Sequence, residues 1–518
     1  MELQAHGKTE IYIRLIEEAL KLEKSSIMLV PEISLTPQTV DRFLSRFGEE
    51  KIAVLHSKLS VGERYDQWKK IERGEAKIVI GARSAIFAPV ENLGLIIIDE
   101  EHDSSYKSDS APRYNTKEIA SYLGKEKKIP VVLGSATPDL GSYYKAINNE
   151  IQLAKLTKRA NNSSLPDVEI VDLRNELASG NKSMISNKLQ EEIKENLKNK
   201  KQTILFLNRR GFSTFIMCRD CGYTAKCKNC DISLTYHLKE NKLKCHYCGY
   251  ETKALTICPE CNSKNIRYFG TGTQKLEEQI KNLFPEATTL RMDVDTVNKK
   301  NSHEDILNSF KNDKIDILIG TQMVVKGHDF PNVTLVGVIA ADSSLNIDDY
   351  RAHERTFQTL TQVAGRAGRG KDKGKVIIQT YNPDSFCIDF AKKQDYKLFY
   401  DTEIHIRKQL RYPPFCDIIL FGLSSKDNKE LEAISNYIYN DLKNKINTEK
   451  LQILLYKPVP APIEKIKNRI RWRIIVKCKV NDEIIKSIND TINKANEKIK
   501  NSKKDTRIIV DINPTNMM

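Results

Sequence analysis

The chain has 518 residues, room for three or four domains at roughly 150 residues each. Hydrophobic residues make up 40%, enough to build cores, which excludes wholesale disorder; the longest apolar runs, such as the four residues at 95–98, fall far short of the ~18 that a membrane span needs. Lys and Arg number 83 against 68 Asp and Glu, a net charge of +15 that favours a polyanionic partner, and residues 1–6 lack the apolar core of a signal peptide, so the expected compartment is the cytoplasm.

Residues 11–22 carry apolar side chains at helical spacing. Short β-rich apolar runs follow at 27–30, 77–80, 95–98 and 131–133, most of them ending in loops that hold Gly, Ser, Thr or Pro. This is the βαβ pattern of a parallel sheet covered by helices, and it predicts a first lobe over 1–155. A polar stretch rich in Lys and Asn, 156–200, reads as a connector with a helix near its end. Strands predicted at 203–207, 288–292, 315–319, 333–339 and 376–379 form a second parallel lobe from 201–212 and 269–385. A cysteine block at 213–268 interrupts that lobe as an insertion. From 386 to 518 the chain turns Lys-rich, with Tyr412-Pro413-Pro414-Phe415 and Pro458-Val459-Pro460-Ala461-Pro462 as turn punctuation, and reads as a separate α+β domain. The predicted class is α/β.

Eight of the 11 cysteines form four C-x-x-C pairs: Cys218/Cys221, Cys227/Cys230, Cys245/Cys248 and Cys258/Cys261. That spacing lets two thiolates from one tight turn face one tetrahedral ion. Eight thiolates make two four-cysteine sites, with zinc the default metal in a reducing compartment. Disulfides need an oxidising compartment, for which nothing argues; iron–sulfur clusters share the spacing. The residues leave the pairing open; His237 and His246 lie nearby, but eight cysteines need no substitute. Cys387, Cys416 and Cys478 are isolated and read as ordinary buried thiols.

Four short stretches carry chemistry. His6-Gly7-Lys8-Thr9 opens a helix and fits the end of a phosphate loop, G-x-x-x-x-G-K-[ST], in which backbone N–H groups cradle phosphate, Lys supplies charge and Thr holds Mg²⁺. Glu2 stands where the loop's first glycine belongs, and a plain helix start is the alternative. Asp99-Glu100-Glu101-His102 follows the apolar run 95–98. Carboxylates at the C-terminal tip of a buried strand sit where open α/β sheets bind ligands: Asp99 to hold Mg²⁺, Glu100 to orient or deprotonate a water. Gly134-Ser135-Ala136-Thr137-Pro138 follows the next strand. Gln362-Val363-Ala364-Gly365-Arg366-Ala367-Gly368-Arg369 lies in the second set; Arg366 and Arg369, three apart, share a helix face from which two guanidiniums can clamp a γ-phosphate, a solvated basic face being the alternative.

In that order, these four stretches resemble superfamily 2 helicases. Three more stretches, at 30–38, 81–87 and 320–330, together with Asn208-Arg209-Arg210-Gly211-Phe212 directly before the cysteine block, resemble the PriA family of replication-restart helicases, over essentially the whole chain. The resemblance implies a 3′→5′ DNA helicase of two RecA-like lobes that recognises stalled or abandoned forks and promotes primosome assembly and reloading of the replicative helicase. ATP would lie between the lobes, with Gly7, Lys8, Thr9 and Gln362 around it and Mg²⁺ on Asp99; Glu100, Arg366 and Arg369 would complete the catalytic set. It implies two zinc ions per chain in nested pairing, Cys218, Cys221, Cys258 and Cys261 on one, Cys227, Cys230, Cys245 and Cys248 on the other. It makes 103–115 an aromatic-rich loop that couples DNA contact to hydrolysis, with Tyr106, Arg113 and Tyr114 facing the strand by stacking and phosphate contact. In the last domain Arg469, Arg471, Trp472 and Arg473 form a candidate contact patch for branched DNA, a charged edge strand being the alternative. The implied partners are forked and single-stranded DNA, other primosome proteins, single-strand binding protein and the replicative helicase loader, with no membrane.

Members of that family carry a 3′-end-capturing domain and a winged helix before the motor core, whereas this sequence starts inside the phosphate loop. The expectation is a fragment or mis-started frame of a longer protein, with weak or no ATP turnover of its own. The competing readings are a non-enzymatic zinc-bearing DNA scaffold for primosome assembly, and another superfamily 2 translocase, against which the cysteine block argues.

Overall fold

The computed structural model describes residues 6–31, 37–156, 165–207, 215–237, 240–268, 272–292, 302–312, 315–321, 330–368, 372–502 and 505–517. Arg369, the segments 32–36 and 322–329, and the stretch 208–212 lie outside them.

The first lobe is a five-stranded parallel sheet in the order β2-β3-β1-β4-β5: β1 (Ser25–Leu29), β2 (Ile52–Leu55), β3 (Ile78–Gly81), β4 (Leu93–Asp99) and β5 (Val131–Gly134). Central β1 is buried along its whole length and β4 up to Asp99, and both carry apolar runs (Ile27 to Leu29, Leu95 to Ile98) as strands covered on both faces do. β2 was not among the predicted strands. The strand order reverses between β1 and β4, so their C-terminal tips flank the crevice where such sheets bind ligands.

The second lobe is a six-stranded parallel sheet, β13-β14-β7-β15-β16-β6, from β6 (Asp167–Asp172), β7 (Gln202–Phe206), β13 (Thr289–Met292), β14 (Ile317–Gly320), β15 (Val333–Val338) and β16 (Lys375–Thr380). The segment 156–200, read as a connector, belongs to this lobe: β6 pairs with β16 from Asp167↔Lys375 to Asp172↔Thr380. β6 is an edge strand with one exposed side, so its residues, Asp-Val-Glu-Ile-Val-Asp, lack the apolar run that marks the central strands. The helices Phe386–Lys393 and Tyr396–Gln409, assigned from sequence to the last domain, also pack here; Cys387, Ile388, Phe399 and Tyr400 lie in the second lobe's core.

The cysteine block enters after β7. It contains β8 (Ile216–Cys218), β9 (Thr235–His237), β10 (Lys242–Lys244), β11 (Glu251–Lys253) and β12 (Ile266–Tyr268), three residues each, in two small antiparallel sheets. The last domain is an antiparallel sheet, β18-β20-β17-β21 with β19 also on β20, backed by the helices Asn428–Thr448 and Asp482–Ser502. Its strands are β17 (Asp417–Ser425), β18 (Ile453–Leu455), β19 (Val459–Ile466), β20 (Arg469–Cys478) and β21 (Arg507–Ile512). Tyr412, Ile418, Ile475 and Met517 join the block's own core, so the two units share one apolar interior. The lobes meet through buried aromatics: the Tyr143 ring stands edge-on to Tyr396 at 5.1 Å and to Tyr400 at 4.6 Å.

Candidate nucleotide and metal sites

The helix His6–Lys21 places Gly7, Lys8 and Thr9 in its first turn. Lys8 is 7% exposed, and its Nζ lies 2.6 Å from Glu100 Oε1 and 3.3 Å from Asp99 Oδ1. Burial works against its charge, but the two carboxylates outweigh burial and raise its pKa above the ordinary lysine value. Two tyrosines brace the tip of β4. Tyr12 donates to Asp99 Oδ1 at 2.9 Å, and Tyr106 donates to the carbonyls of Asp99 (2.6 Å) and Leu29 (3.1 Å). Glu100 then turns the chain with φ +45°, a left-handed conformation that costs a non-glycine residue about 1 kcal/mol or more.

His102 joins three motifs. Its Nδ1 lies 2.7 Å from Ser135 Oγ, in the Gly-Ser-Ala-Thr turn, and its Nε2 lies 2.8 Å from Gln362 Nε2 of the second lobe. Gln362 sits near the end of the helix Ala352–Ala364, and Arg366 follows just past that end. Glu101, 2% exposed, takes hydrogen bonds from Lys117 Nζ (2.8 Å), Ser142 Oγ (2.9 Å) and the Asp139 amide (2.7 Å). The sequence-predicted Lys8, Asp99 and Glu100 therefore converge. His102, Ser135, Tyr12 and Glu101 complete the constellation without having been assigned roles; the first and last of them stood within the quoted DEEH motif.

The eight cysteines gather as two sets, Cys218, Cys221, Cys258, Cys261 and Cys227, Cys230, Cys245, Cys248, each with its Sγ atoms within 4.8 Å of one another. Sulfurs tetrahedral about one zinc at ~2.3 Å stand about 3.8 Å apart, and the pairs Cys218–Cys261 (3.6 Å), Cys221–Cys258 (3.5 Å) and Cys227–Cys248 (3.6 Å) match. Each C-x-x-C closes the same turn: the residue after the second cysteine donates to the first cysteine's carbonyl and has positive φ (Gly222 +80°, Asp231 +53°, Gly249 +75°, Asn262 +59°). Gly, Asp and Asn are the residues that tolerate that conformation. The donor set fits zinc, which would staple strands too short to hold themselves.

The expected DNA contacts divide. Tyr106 is 1% exposed, with its hydroxyl committed to two carbonyls, so it braces β4 and cannot stack on a base. Tyr114 is half-buried, its ring edge-on to Phe87 at 4.9 Å and 5.9 Å from the Arg83 guanidinium; Arg113 lies 3.6 Å from Asp511 of β21. The basic patch on β20 is not open. Arg473 is 2% exposed and donates to His246 O at 2.6 Å; Arg469 pairs with Asp505; Arg471 is half-buried, which lowers its pKa; Trp472 packs on the domain's own core.

Four family models match: DEAD/DEAH box helicase over residues 4–145, the PriA DNA helicase Cys-rich region (CRR) domain over 227–253, the helicase conserved C-terminal domain over 251–371, and the primosomal protein N C-terminal domain over 408–515. Replication restart protein PriA of Bacillus subtilis (strain 168) is 48% identical over 512 residues, 99% of this chain and 63% of the relative, so the chain spans less than two thirds of that protein. Replication restart protein PriA of Haemophilus influenzae is 40% identical over 511 residues, 99% of this chain and 68% of the relative. Among solved structures, RecG bound to a three-way DNA junction aligns with TM-score 0.43 at 14% identity, covering 79% of this chain and 47% of that one. No helix among the described residues is long and apolar enough to cross a membrane. By sequence, the chain belongs to the PriA family of replication restart helicases.

Proposed function

We propose that the chain is the motor of an ATP-dependent 3′→5′ DNA helicase that remodels stalled forks and promotes primosome assembly, with forked and single-stranded DNA and the primosome, single-strand-binding and helicase-loading proteins as partners. The observation that carries this is the meeting of Lys8, Asp99 and Glu100 at the tip of β4 with Gln362 of the other lobe bonded to His102. One buried ammonium faces two carboxylates there, a net negative tip suited to a divalent cation. Mg²⁺-ATP, when bound, supplies the phosphoryl group and the charge neutralisation of its transfer. In that reading Lys8 binds phosphate, Asp99 holds the cation through its oxygens, and Glu100 orients the attacking water. Arg366, and Arg369 beyond the described residues, act from the second lobe.

The test is ATP hydrolysis with and without forked DNA, measured for the chain, for a version preceded by the amino-terminal region of a relative, and for Glu100→Gln in that version. Fork-stimulated turnover in the extended version, abolished by Glu100→Gln with nucleotide binding kept, is the expected result. Turnover that survives Glu100→Gln removes Glu100 from the water-handling role. Fork binding without fork-stimulated turnover favours a scaffold instead.

A further inference from the structure

The helix Ala352–Ala364 carries Glu354, Gln358 and Gln362 at intervals of four, hence on one face and spanning about 12 Å. All three reach the first lobe. Gln362 meets His102. Gln358 Nε2 donates to the carbonyls of Thr137 (3.4 Å) and Pro138 (3.5 Å). Glu354, 3% exposed, accepts the Leu140 amide on Oε1 at 2.8 Å.

Leu140 opens the helix Leu140–Ile147, whose N-cap Asp139 accepts from the amides of Gly141 and Ser142. The Leu140 amide is the end-of-helix donor that this cap does not reach, and Glu354 takes it from across the seam. The same helix start is tied to the catalytic strand, since Glu101 accepts from the Asp139 amide and Ser142 Oγ. Glu354 is itself held from behind: Arg407 Nη2 lies 2.7 Å from its Oε2, and Arg407 Nε lies 3.1 Å from Glu403.

On the helicase reading above, we propose that Glu354 and Gln358 are positioning residues that set the register in which Gln362 meets His102. Neither touches His102. They clamp the turn from Thr137 to Leu140, which follows Ser135, and so fix where one motif face falls on the other.

The experiment uses the full chain and needs no ATP turnover, so its outcome is separable from that of the hydrolysis test. Two quantities are followed by mass spectrometry: amide hydrogen exchange at Leu140, and carbethoxylation of His102 by diethyl pyrocarbonate. Glu354→Ala should speed exchange at Leu140 about tenfold, the factor one ordinary buried hydrogen bond carries, and raise His102 modification at least threefold. Glu354→Gln keeps an oxygen for the Leu140 amide and leaves Arg407 with Glu403, so it should restore both values most of the way. Gln358→Ala, a milder change, should raise His102 modification with exchange in β16 unchanged, and it decides the matter alone if Glu354→Ala does not fold. His102 reactivity unmoved in Glu354→Ala and Gln358→Ala, or exchange raised equally across β16, would overturn the proposal and leave these residues a purely structural role.

Discussion

Replacing Tyr106 by Phe separates a brace from a DNA contact. The hydroxyl has one proton to donate, shared between the carbonyls of Asp99 and Leu29 at 2.6 and 3.1 Å. The ring is 1% exposed and survives the change, so no cavity opens and the loss is confined to that buried bond and the carbonyls it served. Such a loss costs about 1–2 kcal/mol. The chain has two tryptophans; Trp68 lies in the first lobe on the helix Val61–Glu72, and Trp472 lies on β20. In a Trp472→Phe background, Trp68 emission therefore reports urea unfolding of the first lobe. With an m-value near 2 kcal/mol/M, Tyr106→Phe should lower the midpoint by about 0.5–1 M at unchanged m, while affinity for single-stranded DNA stays within about twofold. A tyrosine stacking on bases from solvent would lose nothing in stability on becoming Phe. An unmoved midpoint would therefore refute the brace.

Metal analysis of the purified chain should return two zinc ions, and one or none would overturn the two-site assignment. Asp348 supplies a pH test. It is 2% exposed, neither of its carboxylate oxygens has a hydrogen-bond partner among the described residues, and Arg473 approaches only to 3.9 Å. Burial raises its pKa to about 7, with Arg473 opposing and Asp349 adding to the rise. The folded chain then holds this proton more tightly than the unfolded one. The associated stability is complete below the unfolded value near 3.8 and fades as pH climbs through about 7, a loss of order 2–4 kcal/mol. Asp348→Asn should flatten that decline in urea midpoints taken from pH 5 to 8; parallel profiles for the two proteins would show that Asp348 does not carry it.

The parallel lobes were legible because buried central strands must be continuous apolar runs, as at Leu95, Ile96, Ile97 and Ile98. The zinc knuckles were legible because the chemistry is local: each pair and its left-handed residue sit within five positions. Edge strand β6 was not, since half-exposed residues leave a mixed pattern that resembles a linker. The burial of the basic patch was hidden for another reason. Arg469, Arg471 and Arg473 alternate along β20 and share a face. Sequence shows that shared face but not what covers it, and at Arg473 the cover is the backbone of His246, 227 residues away in the cysteine block.

The same distance in sequence hid the centre of the site. Asp99 and Glu100 could be placed from the strand that precedes them, because the tip of a buried strand is a position that local pattern defines. His102 stands two residues further on, and its role depends on partners that no local pattern defines: Ser135 at a separation of 33 residues and Gln362 at 260. Gln362 reaches His102 from a helix that also meets the Thr137–Leu140 turn through Gln358 and Glu354, which sequence presents as unremarkable polar positions on an amphipathic helix. A side chain's part in binding phosphate or metal can be read from its own motif. Its part in joining two lobes exists only in the packing of one against the other.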